Sequence, residues 1–74
     1  MTTIDARGLS CPQPVILANK AIAANRFPFV VLVETVTSRE NVRRMAEGKQ
    51  CMVEVEQIGD EFRLKIDRKS QSLG

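Results

Sequence analysis

The 74-residue sequence contains no histidine, tryptophan or tyrosine, and only two cysteines and three phenylalanines. Without histidine, Ser-His-Asp and Cys-His catalysis are excluded and the commonest transition-metal ligand is missing. Two cysteines alone cannot close a zinc site, so neither a metal nor any other cofactor is expected. Phe27, Phe29 and Phe62 make a poor surface for stacking bases. Eleven basic against nine acidic residues leave a net charge of +2, too small an excess to point to a nucleic-acid partner. Met1 to Arg7 lacks the apolar core of a signal peptide. The longest apolar run, Phe27 to Val33, is interrupted by Pro28 and falls far short of the roughly 20 residues of a membrane span. Scarce cysteine in a chain with no export signal points to a reducing, cytoplasmic setting. A chain this short forms one domain, here 1–74, which buries only about 60% of its unfolded surface. Any site on it is shallow.

Six elements are legible in the patterning. Thr2 to Ala6 alternates, with Ile4 and Ala6 on one side, as in a half-buried strand. Pro12 to Asn25 places Val15, Leu17, Ala18, Ala21 and Ile22 at helical spacing, with Pro12 at the first helical position and Asn25 as a left-handed stop. Phe29 to Val33 is a continuous β-branched run that suits a central strand. Thr37-Ser38-Arg39-Glu40 reads as a capping box opening a second helix along Val42, Met45 and Ala46, closed by Gly48. Cys51, Val53 and Val55 alternate with Glu54 and Glu56. Beyond the Gly59-Asp60 turn, Phe62, Leu64 and Ile66 alternate with Arg63, Lys65 and Asp67, so the last two strands form a hairpin. Arg68 to Gly74 reads as a frayed polar tail. The order βαβαββ implies an α/β (α+β) two-layer sandwich, with a four-stranded mixed sheet and two helices on one face.

The stretch from Asp5 to Pro14 carries the chemistry. Read physically, Cys11 is the N-cap of the first helix, where the unpartnered amides and the helix dipole favour an anion. Pro12 and Pro14 have no amide hydrogen, so the donors expected near the sulfur are those of Gln13 and Val15. A cation such as Arg7 adds to the preference for thiolate. Gly8 supplies a positive φ or a close backbone approach, and Asp5 and Arg7 otherwise read as solvated charges at a strand end. Position 14 is proline, so a C-x-x-C dithiol cycle within the motif is excluded. A one-cysteine mechanism remains, in which Cys11 is a nucleophile or persulfide carrier. Cys51 is in phase with Val53 and Val55 and reads as core; a Cys11–Cys51 disulfide would be the sign of a resolving role.

The Cys11-Pro12-Gln13-Pro14 signature after Gly8, together with the length and element order, resembles the TusA-like (SirA-like) sulfur-carrier family over essentially the whole chain. The resemblance implies that Cys11 is the catalytic position. Persulfide sulfur would arrive there from a cysteine desulfurase or another sulfurtransferase and pass to a downstream protein acceptor, for instance in tRNA thiolation. Arg39-Glu40-Asn41-Val42 and the Glu-rich hairpin are closer to the YedF-like branch, which is linked to selenium metabolism and often carries an added DsrE-type domain. Pro12, Gln13, Pro14, Gly8, Asp5 and Arg7 form the supporting motif. The competing reading is a non-catalytic regulatory or RNA-binding module using Arg39, Arg43 and Arg44, although the chain lacks a GxxG clamp and sheet aromatics.

Overall fold

The computed structural model describes residues 2–10 and 12–68. Its elements follow in the expected order: β1 (Thr2–Asp5), α1 (Gln13–Ala23), β2 (Phe29–Val33), α2 (Val36–Gly48), β3 (Cys51–Ile58) and β4 (Glu61–Arg68). They build one four-stranded sheet in the order β1-β2-β4-β3. β1 runs parallel to β2 with Ile4 opposite Val31. β2 and β4 are antiparallel with Val31 opposite Leu64, and β3 pairs antiparallel with β4 in unbroken register from Cys51 opposite Arg68 to Ile58 opposite Glu61. The sheet is therefore mixed, and the β-branched run of β2 lies inside it, as its continuous apolarity requires.

Both helices cover one face. Ala18 and Ala21 of α1 and Val42 and Ala46 of α2 bury against Phe29, Val31, Val33, Phe62, Leu64 and Ile66. Small residues on the helices let them approach the sheet, whose own side chains fill the space between. Val30, on the opposite face, is also only 2% exposed. The register places Thr3 and Lys65 beside it, and a lysine stem can cover apolar surface while its ammonium stays wet.

Four local expectations shift. The N-cap of α1 is Pro12, with Gln13 as the first helical residue, so position 11 lies one residue ahead of the cap. The cap of α2 is Thr35, whose hydroxyl accepts from the Ser38 amide at 3.0 Å. The Thr37–Glu40 box does not form, because the helix has already begun at Val36. Gly48 is the last helical residue, but the left-handed step is taken by Gln50 at φ 63. Arg68 belongs to β4 and pairs with Cys51 rather than starting a tail; positions 69–74 lie outside the described residues. The Asn25 stop is found as expected. Its φ is 61, and the Asn25 and Arg26 amides donate to the carbonyls of Ile22 and Ala21, the paired bonds of a Schellman ending.

Candidate functional site

β1 and β2 point the same way, so the loop leaving β1, the loop leaving β2 and the N-termini of both helices gather at one end of the sheet. The β3–β4 turn at Gly59 and Asp60 joins them there. The Ala6 amide donates to the Leu32 carbonyl at 2.9 Å, carrying the ladder one residue past β1, and Ala6 is buried. The chain then turns. Gly8 takes φ +79, and a methyl group there would meet only the Glu34 carboxylate at 3.9 Å. Its conformation, rather than crowding, is what calls for glycine.

Charged contacts hold this loop from both sides. Arg7 grips Asp5 with Nε and Nη2, both at 2.8 Å, while its amide donates to Asp5 Oδ1 at 3.1 Å. Its Nη1 reaches Glu61 Oε1 at 3.2 Å, at the start of β4. On the other side the Gly8 amide donates to Glu34 Oε1 at 2.6 Å. Hydrogen bonding from Arg7 lowers the Asp5 carboxyl to about 2. In return, Asp5 first and Glu61 second raise Arg7 above its ordinary value. Arg7 is thus engaged by two carboxylates and ties the loop to β1 and β4.

Past the loop, the Gln13 amide donates to the Ser10 carbonyl at 2.9 Å and the Ile16 amide to the Pro12 carbonyl at 3.0 Å. The Gln13 donor is therefore already used by the backbone, which removes it from the expected anion cradle. Pro14 is among the fully buried side chains of the molecule, so it anchors the start of α1 in the core as well as stiffening it. Pro12 and Gln13 are exposed. The first turn of α1 carries no acidic residue of its own to offset the positive end of its dipole, and the Glu34 carboxylate, which reaches the preceding loop, is bound to the Gly8 amide. Leu9, Ile16 and Val36, each more than a third exposed, are apolar residues at this end of the fold. The expectations for the Cys11 side chain itself lie outside the described residues.

The motif's described members are thus brought together at one end, with Asp5 and Arg7 on its flank. Glu34 and Glu61 complete the arrangement and were not singled out in the sequence, since isolated glutamates 26 and 54 residues from their partners leave no local signal. Cys51 is buried as expected. Its thiol faces the Lys49 carbonyl at 3.8 Å, and burial pushes its pKa up, away from thiolate chemistry. The basic face of α2 is largely neutralised: Arg43 bonds Glu40 at 2.6 Å and Glu47 at 2.8 Å. Arg39 bonds Glu40 at 3.1 Å and lies over the Phe62 ring. Among the described residues, no group of three or more Cys, Asp or Glu is placed to hold a metal ion.

Residues 2–68 match the family model described as "Sulfurtransferase TusA". The chain belongs to the TusA family. A crystal structure of a SirA-like protein from Desulfitobacterium hafniense superposes with a TM-score of 0.83 at 38% identity, covering 95% of this chain and all of that one. No curated protein matches. Membership of this family supports a general sulfur-carrier role, with sulfur donors and acceptors as the kind of partner. No helix among the described residues is long and apolar enough to cross a membrane.

Proposed function

We propose that this TusA-family chain accepts sulfur as a persulfide on Cys11 and passes it to a partner protein in a reducing, cytoplasmic compartment. The observation that carries the reading is the placement of Pro12, Gln13 and Pro14 on the acid-free first turn of α1, at the exposed end of the sheet. In the forward step the Cys11 thiolate attacks the outer sulfur of a donor persulfide. The bond between the donor's two sulfurs breaks, the donor cysteine leaves as thiolate, and the new sulfur–sulfur bond forms on Cys11. One thiol and one persulfide give one persulfide and one thiol, so no oxidant, reductant or cofactor is consumed. Delivery to the acceptor repeats the exchange.

In this reading Pro14 fixes the start of α1, the helix dipole favours the anionic forms of Cys11, and the Arg7 and Glu34 contacts hold the loop. The donor is a cysteine desulfurase or another sulfurtransferase. The test is intact-mass spectrometry after incubation with a cysteine desulfurase and cysteine. Wild type and Cys51→Ser should each gain about 32 Da, reversible by thiol reductant, while Cys11→Ser should gain nothing. Equal gain by Cys11→Ser would overturn the proposal. Repeating the loading with selenocysteine as competitor distinguishes sulfur from selenium as the preferred cargo.

A further inference from the structure

Apart from Glu61, which holds Arg7, the β3–β4 hairpin has no part in the sulfur chemistry proposed above, and among the described residues the outer edge of β3 is unpaired. β3 is an edge strand of eight residues, paired to β4 without a bulge and containing no proline, glycine or lysine. Short length, bulges, proline and lysine blunt edges against strand addition, and of the blunting devices β3 keeps only the negative charges of Glu54 and Glu56. Three of the six large hydrophobic residues exposed among the described residues lie on it: Met52 at 48%, Val55 at 42% and Ile58 at 52%. β1, the other edge, is only four residues long.

Charge decides what can occupy this edge. Met52, Glu54, Glu56 and Ile58 share the face away from the helices, while Val53, Val55 and Gln57 share the helix side, as the register against β4 requires. A two-fold dimer built by antiparallel β3–β3 pairing must set residues of like face opposite one another. Its longest registers place Glu54 against Glu54 of a second copy, or Glu54 against Glu56 twice. Both oppose like charges, which destabilises a cross-strand pair. Self-pairing is therefore disfavoured. The inner neighbour β4 shows the pattern that fits: Lys65 stands opposite Glu54 and Arg63 opposite Glu56, the latter with an ion pair of 3.7 Å, between the core residues Phe62, Leu64 and Ile66. A strand added on the free side would meet the same acids and valines.

We propose that the free edge of β3 is a docking edge for an extended segment of a partner protein in which basic and apolar residues alternate. The segment adds antiparallel to β3, with its basic residues opposite Glu54 and Glu56 and its apolar residues against Val53 and Val55. Backbone hydrogen bonds supply the affinity and the alternating side chains the selectivity. The inference stands on the hairpin alone and does not depend on the sulfur chemistry.

The test is amide-resolved NMR titration of the full chain with three capped octapeptides. One alternates Lys and Val, one alternates Glu and Val, and one has the Lys-Val composition interrupted by proline so that it cannot pair as a strand. The expected result is saturable shifts confined to residues 51–58 and their β4 partners with the Lys-Val peptide. Binding should be about tenfold weaker for Glu-Val and lost for the proline-interrupted peptide. The double variant Glu54→Lys, Glu56→Lys should reverse the preference between the first two; an unchanged amide spectrum for α1 and α2 shows that it is folded. Equal response to the straight and proline-interrupted peptides, which would mean bulk charge attraction only, overturns the proposal. So does a response away from β3, no response at all, or self-association of the wild-type chain through β3 in sedimentation.

Discussion

The Cys51 corner and the motif loop lie at opposite ends of one small sheet and are built by opposite means. Around Cys51 the chain is held by burial: the side chain is 7% exposed and belongs to the apolar core, with Ile66 of β4 the nearest fully buried strand residue in register. Around the motif loop it is held by charged hydrogen bonds, with Arg7 between Asp5 and Glu61 and Glu34 on the Gly8 amide. The apolar corner removes a thiol from solvent and makes it less acidic. The polar clamp leaves the motif's described flanks in water and still fixes their path. A domain too small for a deep cleft can present a reactive group in this way, by ordering an exposed loop from its two sides.

The largest expected break in that comparison comes from the apolar side. Ile66→Ala removes a fully buried side chain two residues along β4 from Arg68, the partner of Cys51, and should lower unfolding stability by about 2 to 5 kcal/mol in urea denaturation. Sulfur loading of the molecules that remain folded should persist. The clamp should respond the other way. Glu34→Ala leaves the Gly8 amide to water and should cost only about 1 kcal/mol, yet slow sulfur loading measured by time-resolved mass. Gly8→Ala keeps the Glu34 contact but forces a left-handed alanine, a loss of about 1 to 2 kcal/mol by the same denaturation.

Acid sharpens the contrast further. The Asp5 carboxyl falls from 3.8 to about 2 on folding and that of Glu40 from 4.5 to about 2, in both cases chiefly through hydrogen bonds from arginine. A lowered folded value means stability fully present above the unfolded value and lost as the pH falls toward the folded one. Thermal unfolding temperatures should therefore drop from about pH 4.5 down to 2, and Asp5→Asn should flatten the lower part of that slope. The smallest effect concerns oxidation. Cys51 pairs with Arg68, six residues along β4 from Phe62, which stands opposite Val33 at the far end. At about 3.3 Å per residue this puts the Cys51 corner roughly 20 Å from the end of the sheet that carries the motif loop, whereas a disulfide spans Cα atoms no more than about 7 Å apart. Mild oxidant should leave no internal Cys11–Cys51 bridge on non-reducing peptide mapping.

Element order, the central place of β2, the hairpin and the Asn25 stop were legible because each rests on local periodicity or on one residue's backbone preference. The helix starts were less so. Thr35 and Thr37 are both good caps two residues apart, and Val36 between them enters the helix, so the choice was made by where β2 ends rather than by the capping residues. The motif was legible as a motif, but not how it is held. Arg7 looked like a free cation until β4 brought Glu61 beside it, and the Gln13 amide looked available until the loop placed the Ser10 carbonyl under it. Both depend on contacts that only the folded chain creates.

The most direct test of the sulfur-carrier reading is to locate the transferred sulfur within the wild-type chain. After loading by a cysteine desulfurase and capping of free thiols and persulfides, trypsin releases Cys11 in the peptide 8–20 and Cys51 in the peptide 50–63. The result expected is an added mass of about 32 Da on 8–20 with none on 50–63. Sulfur on 50–63, or on neither peptide while 8–20 is fully alkylated, would contradict it.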